Sequence, residues 1–307
     1  MELRHLRYFV AVAEELHFTR AAERLHMAQP PLSQQIRALE QELGVSLFER
    51  HQRAVKLTAA GERFLLRARA LLEGASQAAD EARRAARGEI GELNIGFTSS
   101  LPLMSLLPTA LQRFRQQHGS VTLHFHEEFT REQFQLLGSN KLDVGVVRFN
   151  GEEDTPGLAL REVRRDRLCA VLPRSHPLAA RPGIALAQLA GERIIGYPSS
   201  SGNWLTRRLE KLAREAGFEW RVHQLAGEAT TQIGLVDAGL GVAVLPAPLQ
   251  CVQLPGICYV PLLDSHAYMT LTVAWRERDT SPLVAAFVDA MLAAGTSAPH
   301  QPPPAAP

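Results

Sequence analysis

Residues 18–44, FTRAAERLHMAQPPLSQQIRALEQELG, constrain the chain most, because they leave room for little besides two short helices joined by a tight turn. In the second helix Leu32, Ile36, Leu39 and Leu43 recur at helical spacing and pack inward, which turns Ser33, Gln34, Arg37 and Gln41 outward. Thr19 is placed to cap the first helix, and Ala21 and Ala22 are small enough for a second helix to cross close by. Pro30 and Pro31 suit a first helical turn, where a missing N–H costs little, and Gly44 suits its end after Leu43. At this point two readings stand: an ordinary helical hairpin with a solvated face, or a helix offered to a DNA groove.

The flanking residues favour the second. Leu3–Glu15 reads as a scaffold helix whose Leu6, Phe9, Val10, Ala13 and Leu16 face the other two. Leu47–Arg50 and Ala54–Leu57 read as two short strands around a His51-Gln52-Arg53 turn, a basic wing beside the second helix. Thr58 then caps a helix reaching about Arg87, roughly 45 Å at 1.5 Å per residue. Along it Leu57, Phe64, Leu71, Ala78 and Ala85 recur every seven residues, with Ala68, Leu72, Ala75, Ala79 and Ala82 in the adjacent seam, which argues for pairing with another helix.

Charge does not announce the partner. The chain of 307 residues has 33 basic and 32 acidic side chains, and residues 1–87 hold only 14 against 11. DNA affinity therefore has to come from charge placement and dimerisation rather than bulk charge. No apolar run approaches the roughly 18 residues of a membrane span, and MELRHLRYF has no signal-peptide core, so the cytoplasm is the expected location. Cys169, Cys251 and Cys258 are too few and scattered for a disulfide framework and read as buried, reduced thiols on strands or strand ends.

After Gly88–Gly91 the composition changes. LNIGF, VTLHF, LDVGVV, LCAVLP, RIIGY and GVAVLP alternate with amphipathic helices, implying mostly parallel sheets covered on both faces. A second run of units from about Arg167 suggests two subdomains. The last elements, about Ile257–Leu263, Met269–Trp275 and a helix Pro282–Ala294, are assigned to the return into the first. The fold class is thus a winged helix-turn-helix domain (1–58), a linker and dimerisation helix (59–87) and a two-subdomain α/β domain (88–294). Its subdomain I covers about 91–164 and 267–294, and subdomain II about 165–266. The proline-rich residues 295–307 read as a disordered tail.

In open α/β sheets ligands lie at the carboxyl ends of strands, among helix amino termini. Two such turns are rich in hydroxyls: Thr98-Ser99-Ser100, and Ser199-Ser200-Ser201-Gly202-Asn203. With Thr130, Arg148 and Glu228 they compose a cleft suited to a carboxylate, in which Arg148 and Glu228 can pair with each other and with an acidic ligand. The bland reading of the same serines and threonines is helix capping. Catalytic signatures are missing: there is no GxSxG, GxxxxGK or HExxH. His124-Phe125-His126-Glu127-Glu128 lacks a second ligand at helical spacing, so no metal and no cofactor is expected.

The stretch LRHLRYFVAVAEELHFTRAAERLHMAQPPLSQQIRALEQELGVSLFER, followed by LTAAGERFL, closely resembles the amino-terminal signature of LysR-type transcriptional regulators, and the resemblance runs from Leu3 to about Leu292. AQPPLSQQI, IGF and SHPLA are similar to the regulators of benzoate, muconate and chlorocatechol degradation. The resemblance implies a periplasmic-binding-protein-like effector domain, a homodimer through the 58–87 helix, a homotetramer, promoter DNA and a small acidic effector as partners, and RNA polymerase as a further contact. It places Gln29, Pro30, Pro31, Ser33 and Arg37 on or at the mouth of the recognition helix, and Arg50 and Arg53 on the DNA from the wing. Gln34 stands where many relatives carry Arg, so a phosphate contact there gives way to a possible adenine edge. The matching effector positions are Ser99, Ser100, Thr130, Arg148, Ser199, Ser200, Ser201, Gly202, Asn203 and Glu228, with Arg164 at a place resembling a second, aromatic-acid site in some relatives. The alternative to such a regulator is an α/β enzyme or binding protein with an appended helix-turn-helix module.

Overall fold

A computed structural model describes residues 1–51, 54–151, 153–198 and 203–297, which separate into two compact units at Ala85/Ala86. The first unit is built on α1 (Leu3–Glu15), α2 (Phe18–Arg24) and α3 (Gln29–Leu43), followed by the antiparallel pair β1 (Phe48–His51) and β2 (Ala54–Leu57) and then α4 (Ala59–Ala86). Leu32, Ile36 and Leu39 of α3 are fully buried against Phe9, Val12 and Ala21, which is the stripe its spacing implies. Phe9 packs against Phe48 in a tilted pair and against Phe64 edge-on, at 5.3 and 5.0 Å between ring centres, so one aromatic cluster ties α1, the wing and α4 together. Gly44 ends α3 at φ +70°, in the left-handed conformation that glycine adopts without steric cost.

Local details differ from expectation. Thr19 lies inside α2, which His17 caps instead by accepting the Arg20 N–H through Nδ1. Leu47 is not in the first wing strand: its N–H goes to Glu40 Oε1 of α3, so pairing starts at Phe48. Thr58 does cap α4, its Oγ1 accepting from Gly61 N at 2.9 Å. The seven-residue seam of α4 has two fates. Phe64, Ala68 and Leu72 pack into the core of their own unit, whereas Leu71 is half exposed at 51% and Ala78, Ala82 and Ala85 lie open. The near half of the periodicity is thus explained by packing within the unit, and only the far half is left for a partner.

The second unit starts with β3 (Ile90–Phe97), α5 (Leu106–Gln117), β4 (Ser120–Glu127), α6 (Thr130–Gly138) and β5 (Val144–Arg148). There follow β6 (Leu158–Pro173), β7 (Ile194–Gly196), α7 (Trp204–Glu215), β8 (Val222–Leu225), α8 (Ala229–Asp237), β9 (Ala243–Pro246), β10 (Ile257–Pro261), β11 (Tyr268–Arg276) and α9 (Pro282–Ser297). Strands β3, β4 and β5 are parallel, as are β7 and β8, but β5–β11, β11–β6, β6–β9 and β6–β10 are antiparallel, so the sheet is mixed rather than mostly parallel. The cause is β6, sixteen residues long, whose first half pairs with β11 and whose second half pairs with β9 and β10. One continuous strand therefore belongs to both subdomains. Ile257–Pro261 pairs with Cys169–Pro173 and stays in the second subdomain, whereas β11 and α9 return to the first, where Phe287 and Met291 are fully buried. Helix α9 also carries Gly295–Ser297, residues assigned to the tail; residues 298–307 lie outside those described.

Candidate functional site

Two surfaces carry the candidate residues, one in each unit. In the first, α3 presents Pro30, Pro31, Gln34 and Arg37 to solvent, with Gln29 and Ser33 half-buried. The prolines sit in the first turn, where the missing N–H groups leave the ladder intact. Arg20 and Arg24 beside it are committed to Glu14 and Glu15 of α1, and Arg69 of α4 also reaches Glu14 at 2.8 Å. The hydrogen bond from Arg69, joined by Arg24, holds the Glu14 carboxyl below its ordinary range. Arg37 has no such partner among the described residues and is available to a phosphate or base. Arg50 is on β1, and Lys56, exposed on β2, adds a wing cation that the sequence reading left out. Arg53 lies outside the described residues.

In the second unit the carboxyl ends of β3 and β5 and the starts of α6, α7 and α8 converge, as strand–helix connectivity requires of an α/β cleft. Ser100, Thr130 and Arg148 are buried and line one cavity with Thr98, Ser99 and Asn203. Its free space is about 30 Å³, room for little more than water, so the cavity as it stands is too small for an organic ligand. Asn203 caps α7, its Oδ1 accepting from Leu205 N at 2.9 Å; Ser199, Ser200, Ser201 and Gly202 lie outside the described residues. Thr130 is the first residue of α6 and donates from Oγ1 to the Arg148 carbonyl at 3.4 Å.

Arg148 and Glu228 do not pair with each other, contrary to the sequence reading. Arg148 Nη1 donates to Asp166 Oδ2 at 2.9 Å, and Arg164 Nε lies 2.7 Å from Asp166 Oδ1. Both arginines also reach the Met104 sulfur, a weak acceptor, and the buried Nε of Arg148 has no partner among the described residues. Glu228 instead accepts the Ser99 hydroxyl across the mouth of the cleft, in an adjoining space shared with Glu127 and Glu128. Ser99 comes from the first subdomain and Glu228 from the second, so this contact is a clasp between them.

The sequence reading does not find the aromatic walls of the cleft or the partner of its arginine. Phe129, Tyr197 and Trp204 line the cavity, and Asp166 neutralises its arginine. The Tyr197 phenol is pushed well above its ordinary pKa by burial and by the charge of Glu228, with Arg148 opposing, and so stays neutral. A signal exists for Tyr197, which directly precedes Pro198 and the hydroxyl-rich run SSSGN in the sequence; Asp166, within the charged run REVRRDR, gives none.

Of the cysteines, only Cys169 is fully buried, its thiol raised to about 12 by burial; Cys258 is half-buried and Cys251 exposed, because the latter ends a short helical turn rather than a strand. Among the described residues no three His, Cys, Asp or Glu side chains converge to hold a metal. His124 and His126 instead approach Glu92 and Asn94, each at 3.4 Å. No helix of the described residues is long and apolar enough to cross a membrane.

Comparison with known proteins agrees with this architecture. Residues 3–62 match the bacterial regulatory helix-turn-helix protein, lysR family, and residues 86–296 match the LysR substrate binding domain. The HTH-type transcriptional regulator YnfL of Escherichia coli (strain K12) is 43% identical over 288 residues, covering 94% of this chain and 96% of its own. The structure of full-length CbnR complexed with its target DNA superposes with a TM-score of 0.79 at 31% identity, covering 96% of this chain and all of that one. The effector binding domain of BenM with its effector benzoate gives 0.59 at 30% identity, over 66% of this chain and 90% of that one. With a family helix-turn-helix at one end, a family substrate-binding domain over most of the remainder, and full-length relatives that are transcriptional regulators, this chain belongs to the LysR family of transcriptional regulators.

Proposed function

We propose that the regulator answers to a small organic acid bound between the two subdomains of residues 86–297. One observation carries this reading: in the cleft wall two guanidinium groups, Arg148 and Arg164, share one buried carboxylate, Asp166. The wall holds an excess positive charge, with an unpartnered Arg148 N–H, beside hydroxyls of Ser99, Ser100 and Thr130. A carboxylate supplies the missing counter-charge and acceptor, at a site where burial strengthens the attraction. Aromatic walls from Phe129, Tyr197 and Trp204 favour an acid with an apolar body, and benzoate, the effector in the BenM domain, is such a molecule.

Opening the Ser99–Glu228 clasp to admit the acid changes the relation of the two subdomains, and a ligand that prefers one arrangement shifts the population toward it. The output is DNA binding through Gln29, Pro30, Pro31, Ser33, Gln34 and Arg37 of α3, with Arg50 and Arg53 on the wing. The open far half of α4 pairs two chains, two such pairs make a tetramer, and the effector alters how it bends a promoter for RNA polymerase.

Replacing Arg148 with Ala is expected to weaken binding of benzoate or of a dicarboxylic acid such as muconate at least tenfold, measured by calorimetry on the full chain. Affinity for an operator fragment selected from random DNA, measured by anisotropy, should stay within about twofold. Equal losses of both would make Arg148 a structural residue and sink this reading.

A further inference from the structure

Behind Trp204 the second unit holds a larger space that the cleft does not use. It has a volume of about 770 Å³ and lies between α6, the connection from β5 to β6, and the end of β11. Its apolar part is formed by Phe134 of α6 and by Trp204, which also lines the narrow effector cleft, so one indole separates the two cavities. Trp204 is 5% exposed, and its Nε1–H is buried without an acceptor among the described residues, a donor that a bound molecule can satisfy.

The charged lining is of both signs. Arg131, Asp154, Glu277 and Arg278 are exposed at this recess, and none of the four side chains forms a hydrogen bond or ion pair among the described residues. Two free cations and two free anions around an aromatic floor do not select a simple anion, which the two carboxylates would repel. They match a molecule that carries both charges on an aromatic body, whose ring rests on Phe134 and Trp204.

We propose that the recess behind Trp204 is a second small-molecule site, shaped for an aromatic zwitterion of the size of an aromatic amino acid. Its occupant reports to the effector cleft through the shared indole. Trp204 is held by two neighbours: its ring meets Phe149 edge-on, 5.1 Å between ring centres, and the Arg207 guanidinium lies 4.7 Å from its ring centre while pairing with Glu153 of the β5–β6 connection. A ligand that presses on this wall changes the shape of the cavity where Arg148 lies.

Calorimetry on the full chain tests the site with three probes of one shape: L-phenylalanine, 3-phenylpropanoate, which lacks the amine, and phenethylamine, which lacks the carboxylate. Phenylalanine should bind, and each single-charge analogue at least tenfold more weakly. Arg278→Ala and Glu277→Ala, both on the exposed rim, should each weaken phenylalanine at least fivefold while leaving benzoate binding within twofold. Absence of phenylalanine binding, equal binding of the three probes, or a loss caused by Arg148→Ala and not by Arg278→Ala would overturn the proposal. These outcomes leave the Arg148 reading standing, because that reading is measured with benzoate or muconate and not with phenylalanine.

Discussion

Asp166→Ala is expected to destabilise the second unit by about 3–5 kcal/mol, lowering its unfolding midpoint by roughly 10 °C, as measured by differential scanning calorimetry. Asp166 is 4% exposed and is the only carboxylate bonded to Arg148 and Arg164 among the described residues, whose side chains are 9% and 16% exposed. Removing it strands one cation in a nearly dry wall and another at its edge. Loss of a single partner from such a site is far more damaging than replacement of the whole network by apolar groups, because the remaining charges keep their desolvation penalty. In the variant, benzoate should raise the midpoint more than it does in the parent chain, since an added carboxylate takes the place of Asp166 and stabilises the folded form by mass action. An unchanged midpoint would mean that water already reaches both arginines, and the charge imbalance would then no longer argue for an acidic ligand.

Asp166 carries no local mark in the sequence, although nearly everything around it is legible. Short-range chemistry marked the helix ends in the first unit: the stripe Leu32, Ile36 and Leu39 determines which face of α3 is buried, and Gly44 and Thr58 terminate and start their helices through hydrogen bonds to residues a few positions away. The hydroxyl turns of the cleft were found in the same way, since a strand end followed by a helix start is a local pattern. Asp166 and Arg164 sit instead on a strand whose first half, LALREVRRDR, looks like a solvated loop by hydropathy. It becomes a strand only through its pairing with β11, more than ninety residues later, and that pairing turns Arg164 and Asp166 toward Arg148. The expected Arg148–Glu228 pair failed for a related reason. Both residues were correctly placed at element ends, but a side chain's partner depends on which subdomain faces it, and the clasp to Ser99 removes Glu228 from the arginine. The packing of Phe64 and Ala68 could not be separated from a dimer seam by periodicity, because a helix lying on its own domain and a helix pairing with a copy have the same repeat.

The same substitution placed at two points of α4 should have opposite signs, and this separates what the start of that helix does from what its middle does. Gly61 lies where α4 meets the wing: a Cβ added there would sit 2.1 Å from the Leu47 carbonyl oxygen and 3.0 Å from Leu57 Cδ2. That carbonyl already accepts the Thr58 N–H at 3.0 Å, and Thr58 Oγ1 donates to the Ser46 carbonyl at 2.8 Å while capping Gly61. A methyl group at position 61 cannot be relieved by a side-chain rotation; it has to move backbone, and in moving it breaks the bonds that join the end of α3, the wing and α4. Gly61→Ala should therefore cost the first unit about 3 kcal/mol or more, the sum of an overpacked contact and a lost backbone bond, or a fall of roughly 12–24 °C in its transition. DNA binding should be lost with it, while benzoate affinity of the second unit is unchanged. Gly74, about three and a half turns further on at 3.6 residues per turn, is exposed, has ordinary helical φ and has nothing within 4 Å of its added Cβ. There alanine only narrows the unfolded ensemble and suits the helix, so Gly74→Ala should stabilise by about 0.5–1 kcal/mol. Circular dichroism melts of the two variants decide the matter. If Gly61→Ala melts with the parent chain, the junction is looser than its hydrogen bonds imply; if Gly74→Ala melts lower, the middle of α4 already lies against a second helix that leaves no room for a methyl group.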